Sequence, residues 1–319
     1  MKVLVTGARG LYGIHLLNLL VQQSWVDMVY ALDNQSRQTL RPDPFIRTPA
    51  FERKVRVLTM DFQDLDTPQL NQLACDVVVH LAAYVSIDES MIGPGDYFEN
   101  NERGTFYFLQ ALRHTIKPPV LIYASSPEVY GAPTYVPMDE QHPLMPRSVY
   151  AASKLSAEKH CMALYHWYRY PVVVIRNFNT FGENQNLAGY PAAIPTFIRQ
   201  ALRNEPIIIH NDGQQSRDFL YVKDAARAYL AVIERGHEFA GQVFNIGTGR
   251  ETQILELARL VTRLTKSTSE VRHEPGRPAD LPRLCASIEK IRSAVGWQPT
   301  CSLEDGLTNT IAWFREHLT

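Results

Sequence analysis

Short apolar runs at positions 2–6, 28–32, 55–59, 76–80, 119–124 and 171–176 alternate with helix-length segments at about 11–23, 66–74, 96–114 and 149–169. Strands separated by helix-length crossovers are parallel, so the pattern predicts a doubly wound α/β sheet with helices on both faces. After Asn177 the rhythm loosens. Pro191, Pro195 and Pro206 interrupt it, and 218–221 and 242–246 read as isolated strands around a helix at 222–235. Further helices are expected at 252–264 and 303–316, and the Pro- and Arg-containing stretch 272–283 between them reads as a loop that faces a ligand. The expected division is a dinucleotide-binding domain over 1–177, to which 218–246 returns, and a smaller α/β lobe formed by 178–217 and 247–319.

Directly after the first strand comes Thr6-Gly7-Ala8-Arg9-Gly10-Leu11-Tyr12-Gly13, a GxxGxxG loop opening into a helix. Glycines in that position permit a tight turn and a close approach of backbone to pyrophosphate, and the helix N-terminus supplies unpaired N–H donors. Asp33 ends the second strand 20 residues beyond Gly13, where a carboxylate can accept bonds from the adenosine ribose hydroxyls. A carboxylate there repels the 2′-phosphate of NADP, so NAD is the expected cofactor; Arg9 and Arg37, which would welcome that phosphate, leave NADP open.

Tyr150 and Lys154 lie four residues apart and so on one helix face. A free phenol has a pKa of about 10, too high for a base at neutral pH, and a nearby ammonium favours the phenolate. The fifth strand runs into Ser125-Ser126-Pro127-Glu128-Val129-Tyr130-Gly131, and strand C-terminal ends line the cleft of such a sheet. A hydroxyl there can bond the same substrate oxygen whose proton Tyr150 removes.

With the glycine loop, Met60-Asp61-Phe62, His80-Leu81-Ala82-Ala83, Asn101 to Thr105, Ser125 to Gly131, Tyr150 to Lys154, Arg176 to Asn179, Gly213 to Asp224, Asn245 to Gly249 and Arg277 to Asp280 in order, the chain resembles the extended short-chain dehydrogenase/reductases, in particular the NAD-dependent nucleotide-sugar epimerases and dehydratases. The resemblance covers nearly the whole length. It implies a Rossmann-type sheet, with Asp61 and Phe62 flanking the adenine, Ala82 and Ala83 along the cofactor, and Leu11, Tyr12, Asn34, Leu81 and Asn101 completing the cofactor set. It makes Ser126 the catalytic hydroxyl beside Tyr150 and Lys154. Asn179, Arg217 and Arg277 would hold the sugar nucleotide, with Ser86 and Glu128 also on the substrate side, and Asp280 would either orient Arg277 or touch ribose.

Within that family the opening step is shared and the outcomes differ. Epimerases need no further acid or base once hydride returns, whereas 4,6-dehydratases use an Asp-Glu pair after the catalytic hydroxyl. Here Pro127 replaces that Asp and cannot exchange a proton. Glu128 keeps the second acidic position, also used by decarboxylases of the family, so those reactions remain alternatives to a 4-epimerase acting on a UDP-hexose or UDP-hexuronate. A non-catalytic NAD(P)-binding sensor is the third reading, and sensors typically lack the tyrosine-lysine pair. The equal alternative for Glu128 is a polar residue that fixes the turn toward Tyr130.

Composition narrows the setting. Lys plus Arg at 32 against Asp plus Glu at 33 leaves no global field to draw in nucleic acid or an anionic membrane. No basic, then apolar, leader follows Met1, and the least polar stretch, 11–26, carries His15, Asn18, Gln22 and Gln23 at amphipathic spacing, so neither export nor a membrane span is expected. Cys75, Cys161, Cys285 and Cys301 are scattered without a CxxC pair and no HExxH occurs, which points to reduced thiols, a cytoplasmic setting and no metal. Apolar and aromatic residues on several faces of 96–114 and 149–169, among them Phe106, Tyr107, Phe108, Leu109, Tyr165, Trp167 and Tyr168, suggest a homodimer, which by resemblance would form through a four-helix bundle.

Overall fold

The computed structural model describes residues 1–37, 40–41, 43–187, 192–276 and 281–318. Seven strands, β1 (Lys2–Thr6), β2 (Met28–Leu32), β3 (Val55–Leu58), β4 (Val77–His80), β5 (Val120–Ser125), β6 (Val172–Asn177) and β7 (Val243–Ile246), form one parallel sheet in the order β7-β6-β5-β4-β1-β2-β3. Every residue of β4, β5 and β6 is buried, as expected for a parallel sheet covered on both faces. Val3 and Val5 point into one layer with Leu16, Leu17, Tyr229 and Val232, while Leu4 points into the other with Phe108, Leu109, Cys161 and Leu164. The period-two alternation of a strand thus splits β1 between two cores.

Four differences from the sequence reading have identifiable causes. Positions 242–246 are not an isolated strand: Val243–Ile246 pairs with β6 at the sheet edge, and the helix Val222–Glu234 packs beside the helix Leu11–Leu20. Over 218–221 only Leu220–Tyr221 is a strand, paired with Thr180–Phe181, because Asp218 turns its side chain fully inward. The single helix expected over 96–114 is broken into Pro94–Tyr97, a π-helical segment Phe98–Gly104, and Thr105–Arg113. The stretch read as a loop over 272–283 begins inside a strand, since Val271–Glu274 pairs in parallel with Ile207–His210, and ends in Arg283–Leu284 paired with Ser216–Arg217.

Phe181, Ile198, Leu257, Val261, Leu307 and Phe314 make a separate core beyond the carboxyl ends of the strands. Leu11, which opens the helix after the glycine loop, and Leu40, which follows β2, pack against that core, so the two bodies meet in apolar contact. No helix among the described residues is long and apolar enough to cross a membrane. The four cysteines are free thiols.

Candidate active site

The C-terminal ends of β1, β2, β4, β5 and β6 carry Gly7, Asp33, Leu81, Ser126 and Phe178 respectively, so the sheet delivers the glycine loop and the serine segment to one edge. Gly7 has φ +69°, and a Cβ there would lie 2.7 Å from the Ala82 nitrogen. A Cβ on Gly13 would lie 2.6 Å from Ala8 Cα. Both positions therefore require glycine, one for its conformation and contact and one for the packing of helix on loop. Gly10 caps the helix Leu11–Leu20 without a side-chain bond, which leaves the first-turn N–H groups directed out of the helix end. The Asp33 carboxylate accepts the Arg9 N–H at 3.0 Å and the Gln35 N–H at 2.8 Å, and the Asn34 amide donates to Asp61 at 2.7 Å. A cradle that a side chain would fill, an open helix terminus and a fixed carboxylate together fit a dinucleotide.

Neither arginine that left NADP open stands free beside Asp33. Arg37 donates to Glu89 at 2.6 Å and lies over the Tyr84 ring, while the Arg9 guanidinium lies over Phe45. Phe62 turns its ring into the core, edge-on to His80 and Phe108, so its ring does not stack in the cleft. Leu81, Ala82 and Ala83 follow β4 at half-buried positions, the first two beside Gly7, and the Tyr12 hydroxyl lies near Thr180.

The helix Val149–Tyr168 starts at Ser148, whose Oγ accepts the Ala151 N–H at 3.1 Å, and this cap fixes Tyr150 and Lys154 in the first turns. Tyr150 faces the side chain of Ser126. Burial raises the phenol pKa strongly; the neighbouring Ser126 hydroxyl lowers it in part, and the charge of Glu128 and the neighbouring Tyr97 raise it further. Lys154 is buried with its ammonium 4.3 Å from the Tyr123 ring centroid, and burial lowers its pKa to about 7, against the smaller upward pull of Cys161 and Glu158. Asn101 sits in the π-helical segment, where its side chain accepts the Tyr84 N–H at 2.8 Å and donates to the Tyr84 carbonyl at 2.8 Å and to Ser153 Oγ at 3.1 Å. It therefore ties the turn before Ser86 to the tyrosine helix through protein groups. His80 stands neutral between Thr6 Oγ1 at 2.7 Å and Thr105 Oγ1 at 3.2 Å, its pKa lowered to about 3 by burial and by Lys154.

The substrate-side residues are distributed around this group. Ser86 caps the helix Ile87–Ile92 by accepting the Glu89 N–H at 3.2 Å. Glu128 is half-buried in the turn Pro127–Tyr130 and donates its N–H to Ser126 Oγ at 3.3 Å. Asn179 has a buried Oδ1 with no hydrogen-bond partner among the described residues, as expected of a group that awaits a ligand. Arg217 donates to the carbonyls of Ser216 at 2.9 Å and Leu281 at 2.7 Å, at the border of the segment holding Arg277 and Asp280, which lie outside the described residues.

Sequence reasoning passed over two buried carboxylates that frame the cleft. Glu158, one further turn along the face of Tyr150 and Lys154, binds Arg176 of β6 at 2.5 Å and accepts the Ser125 hydroxyl at 2.7 Å. Arg176 in turn donates to the Tyr130 hydroxyl at 2.8 Å, which donates to Asn245 at 2.7 Å. Asp218 accepts the N–H groups of Thr248, Gly249 and Ala286 and the Thr248 hydroxyl, joining the sheet domain's edge to the lobe. The available signal was a charged residue inside a wholly buried parallel strand, which has to be paired.

Lys154 yields a pH-dependent stability effect. Between pH about 7 and 10.5 the unfolded chain holds a proton that the folded chain lacks, so stability rises with pH there. At or below pH 7 both states hold the proton and the whole cost of burying the ammonium is present. Lys154→Met is accordingly expected to raise Tm, most at pH 6, by roughly 2–4 °C for each kcal/mol recovered, with the gain shrinking toward pH 10. Thermal denaturation of both proteins across that range checks it; a Tm difference independent of pH contradicts it.

The family described as GDP-mannose 4,6 dehydratase matches residues 4–310. A putative UDP-glucose 4-epimerase of Methanocaldococcus jannaschii is 29% identical over 99% of both chains. The human dTDP-D-glucose 4,6-dehydratase is 31% identical over 99% of this chain and 90% of its own. Among solved structures, a UDP-glucuronic acid 4-epimerase from Bacillus cereus in complex with UDP-glucuronic acid and NAD superposes with a TM-score of 0.89 at 29% identity, covering 99% of each chain.

Proposed function

The chain belongs to the extended short-chain dehydrogenase/reductase family of nucleotide-sugar epimerases and dehydratases, and on that premise we propose that it is an NAD-dependent 4-epimerase of a UDP-linked hexose or hexuronate. The observation that carries this reading is Tyr150 beside the Ser126 side chain with Lys154 one turn along the same helix, next to a buried Pro127 where a dehydrating acid would stand. Bound NAD would supply the acceptor, and then the donor, of the hydride at the sugar C4. Gly7, Gly10 and Gly13 would hold its pyrophosphate and Asp33 its adenosine ribose.

Tyr150 removes the proton of the C4 hydroxyl and later returns it. Ser126 bonds the same oxygen, and its hydroxyl can follow the charge as the alcohol becomes a ketone. The Lys154 ammonium favours the phenolate, offsetting the burial that holds the phenol protonated. Asn179 and Arg217 would hold the sugar nucleotide, with Arg277 on the diphosphate, where its planar guanidinium suits two oxygens at once. Nothing in inversion at C4 asks for a second acid or base, which is consistent with Pro127.

Glu128 favours a second reading. Its charge acts on Tyr150, so a carboxylate does stand near the reacting centre, and a UDP-N-acetylglucosaminuronate decarboxylase of Bacillus cytotoxicus is 30% identical over 99% of this chain. Incubation with UDP-, dTDP- and GDP-sugars in deuterated water, followed by NMR, separates the two. Inversion at C4 without solvent deuterium is the expected result; deuterium at C5, loss of water or release of carbon dioxide would overturn it. Exposed Tyr107, Trp167 and Tyr168 on the helices Thr105–Arg113 and Val149–Tyr168 support extending the proposal to a homodimer built on a four-helix bundle.

A further inference from the structure

Arg37 follows β2 and Glu89 follows β4, and in the sheet these strands flank β1, whose end carries the glycine loop. The 2.6 Å ion pair between them therefore spans the mouth of the cleft above that loop. Its side chains are only 35% and 25% exposed, and the guanidinium lies over the Tyr84 ring 5.2 Å from its centroid, so the pair is better shielded from salt than an open surface bridge. Glu89 is held from behind, since the Tyr97 hydroxyl donates to it at 3.3 Å while accepting the Ser86 N–H at 3.0 Å. Beyond Arg37 the same connection places Leu40 against the lobe's core and Phe45 in the sheet domain's core. Leu40 and Phe45 are thus held in different cores.

We infer that the Arg37–Glu89 pair is a clasp across the dinucleotide cleft that sets how slowly the cofactor leaves. This rests on the NAD reading above. A cofactor lent hydride and repaid within one turnover gains nothing by exchanging, and an ion pair that bridges the end of β1 beside the glycine loop would obstruct its exit without touching the reacting atoms. The pair also explains why Arg37 is not an adenosine-phosphate ligand: its charge is satisfied across the cleft.

The test measures release of NAD from the loaded full-length protein, by displacement with a fluorescent NAD analogue, at low and high salt. Arg37→Ala and Glu89→Ala are each expected to speed release about tenfold, equivalent to roughly 1.4 kcal/mol. The double variant should be no faster than either single one, because the two act as one element. High salt should speed release from the wild type only modestly, because the pair is partly shielded, and leave the variants unchanged. The reversed pair, Arg37→Glu with Glu89→Arg, should restore slow release. Unchanged release in both single variants overturns the clasp while leaving the NAD reading intact. Tighter NAD or NADP binding by Glu89→Ala also overturns it, since that result makes Arg37 a cofactor ligand that Glu89 restrains. A wild type that takes up no NAD removes both.

Discussion

Tyr150→Phe is expected to lower turnover about a thousandfold or more while leaving the affinity for dinucleotide and nucleotide sugar within a factor of about three. The substitution removes one oxygen and keeps the ring, which is buried and packed edge-on to Tyr97 at a centroid distance of 6.3 Å. No cavity larger than a hydroxyl is made, so the fold and the binding surfaces persist. What disappears is the hydroxyl that faces Ser126. Among the described residues no neighbouring side chain replaces that function: Lys154 stacks over Tyr123, His80 is locked between two threonines, and Glu128 acts on Tyr150 through its charge. Steady-state rates on an identified substrate, with dissociation constants for NAD and the sugar nucleotide, check the split. Loss of binding in parallel with turnover would make Tyr150 a structural residue, and retained turnover would place the base elsewhere.

The parts of this site that could be read from the sequence are those whose chemistry is local. Gly7, Gly10 and Gly13 declare a turn within seven residues, and Tyr150 and Lys154 share a helix face by spacing alone. Relations across the fold could not be read. The break at Phe98–Gly104 leaves the apolar periodicity almost undisturbed, and its purpose is seen only when Asn101 is found bonded to Tyr84 and Ser153, 17 and 52 residues away. Val243–Ile246 is too short to declare a partner, and its place beside β6 is set by the packing of the preceding helix on Leu11–Leu20. Arg37 looked like a phosphate ligand because position alone put it near Asp33. Its ion pair with Glu89, 52 residues on, is a long-range fact. The helical stretches read as interface candidates in fact have two apolar sides, since Phe108, Leu109 and Leu112 are core residues while Tyr107 and Trp167 face outward.

Glu158→Ala is expected to destabilise the protein by about 3–5 kcal/mol, the range found when one member of a buried ion pair is removed. Arg176 is 3% exposed and Glu158 1%. The guanidinium would keep its bonds to the Tyr130 hydroxyl at 2.8 Å and the Glu140 carbonyl at 3.4 Å but lose both contacts with Glu158, from Nη2 at 2.5 Å and Nε at 3.1 Å. Its charge would then stay buried with only the weaker pull of the Glu140 carboxylate to balance it, and the Ser125 hydroxyl would lose its acceptor. The damage should reach the site, because Glu158 lies on the helix of Tyr150 and Lys154, and Ser125 precedes Ser126. Removing its negative charge would also push the Lys154 pKa lower still. A direct comparison comes from Glu158→Leu with Arg176→Met, which removes both charges and fills similar volume. If the cost of the single change is an uncompensated charge, the double variant should regain most of the lost stability, as replaced buried ion pairs commonly do. Urea denaturation of the wild type, the single variants and the double variant measures the coupling. A double variant as unstable as the sum of its parts would show that the side chains contribute through packing and through their bonds to Ser125 and Tyr130, and that the ion pair itself is a minor part of what holds β6 against the tyrosine helix.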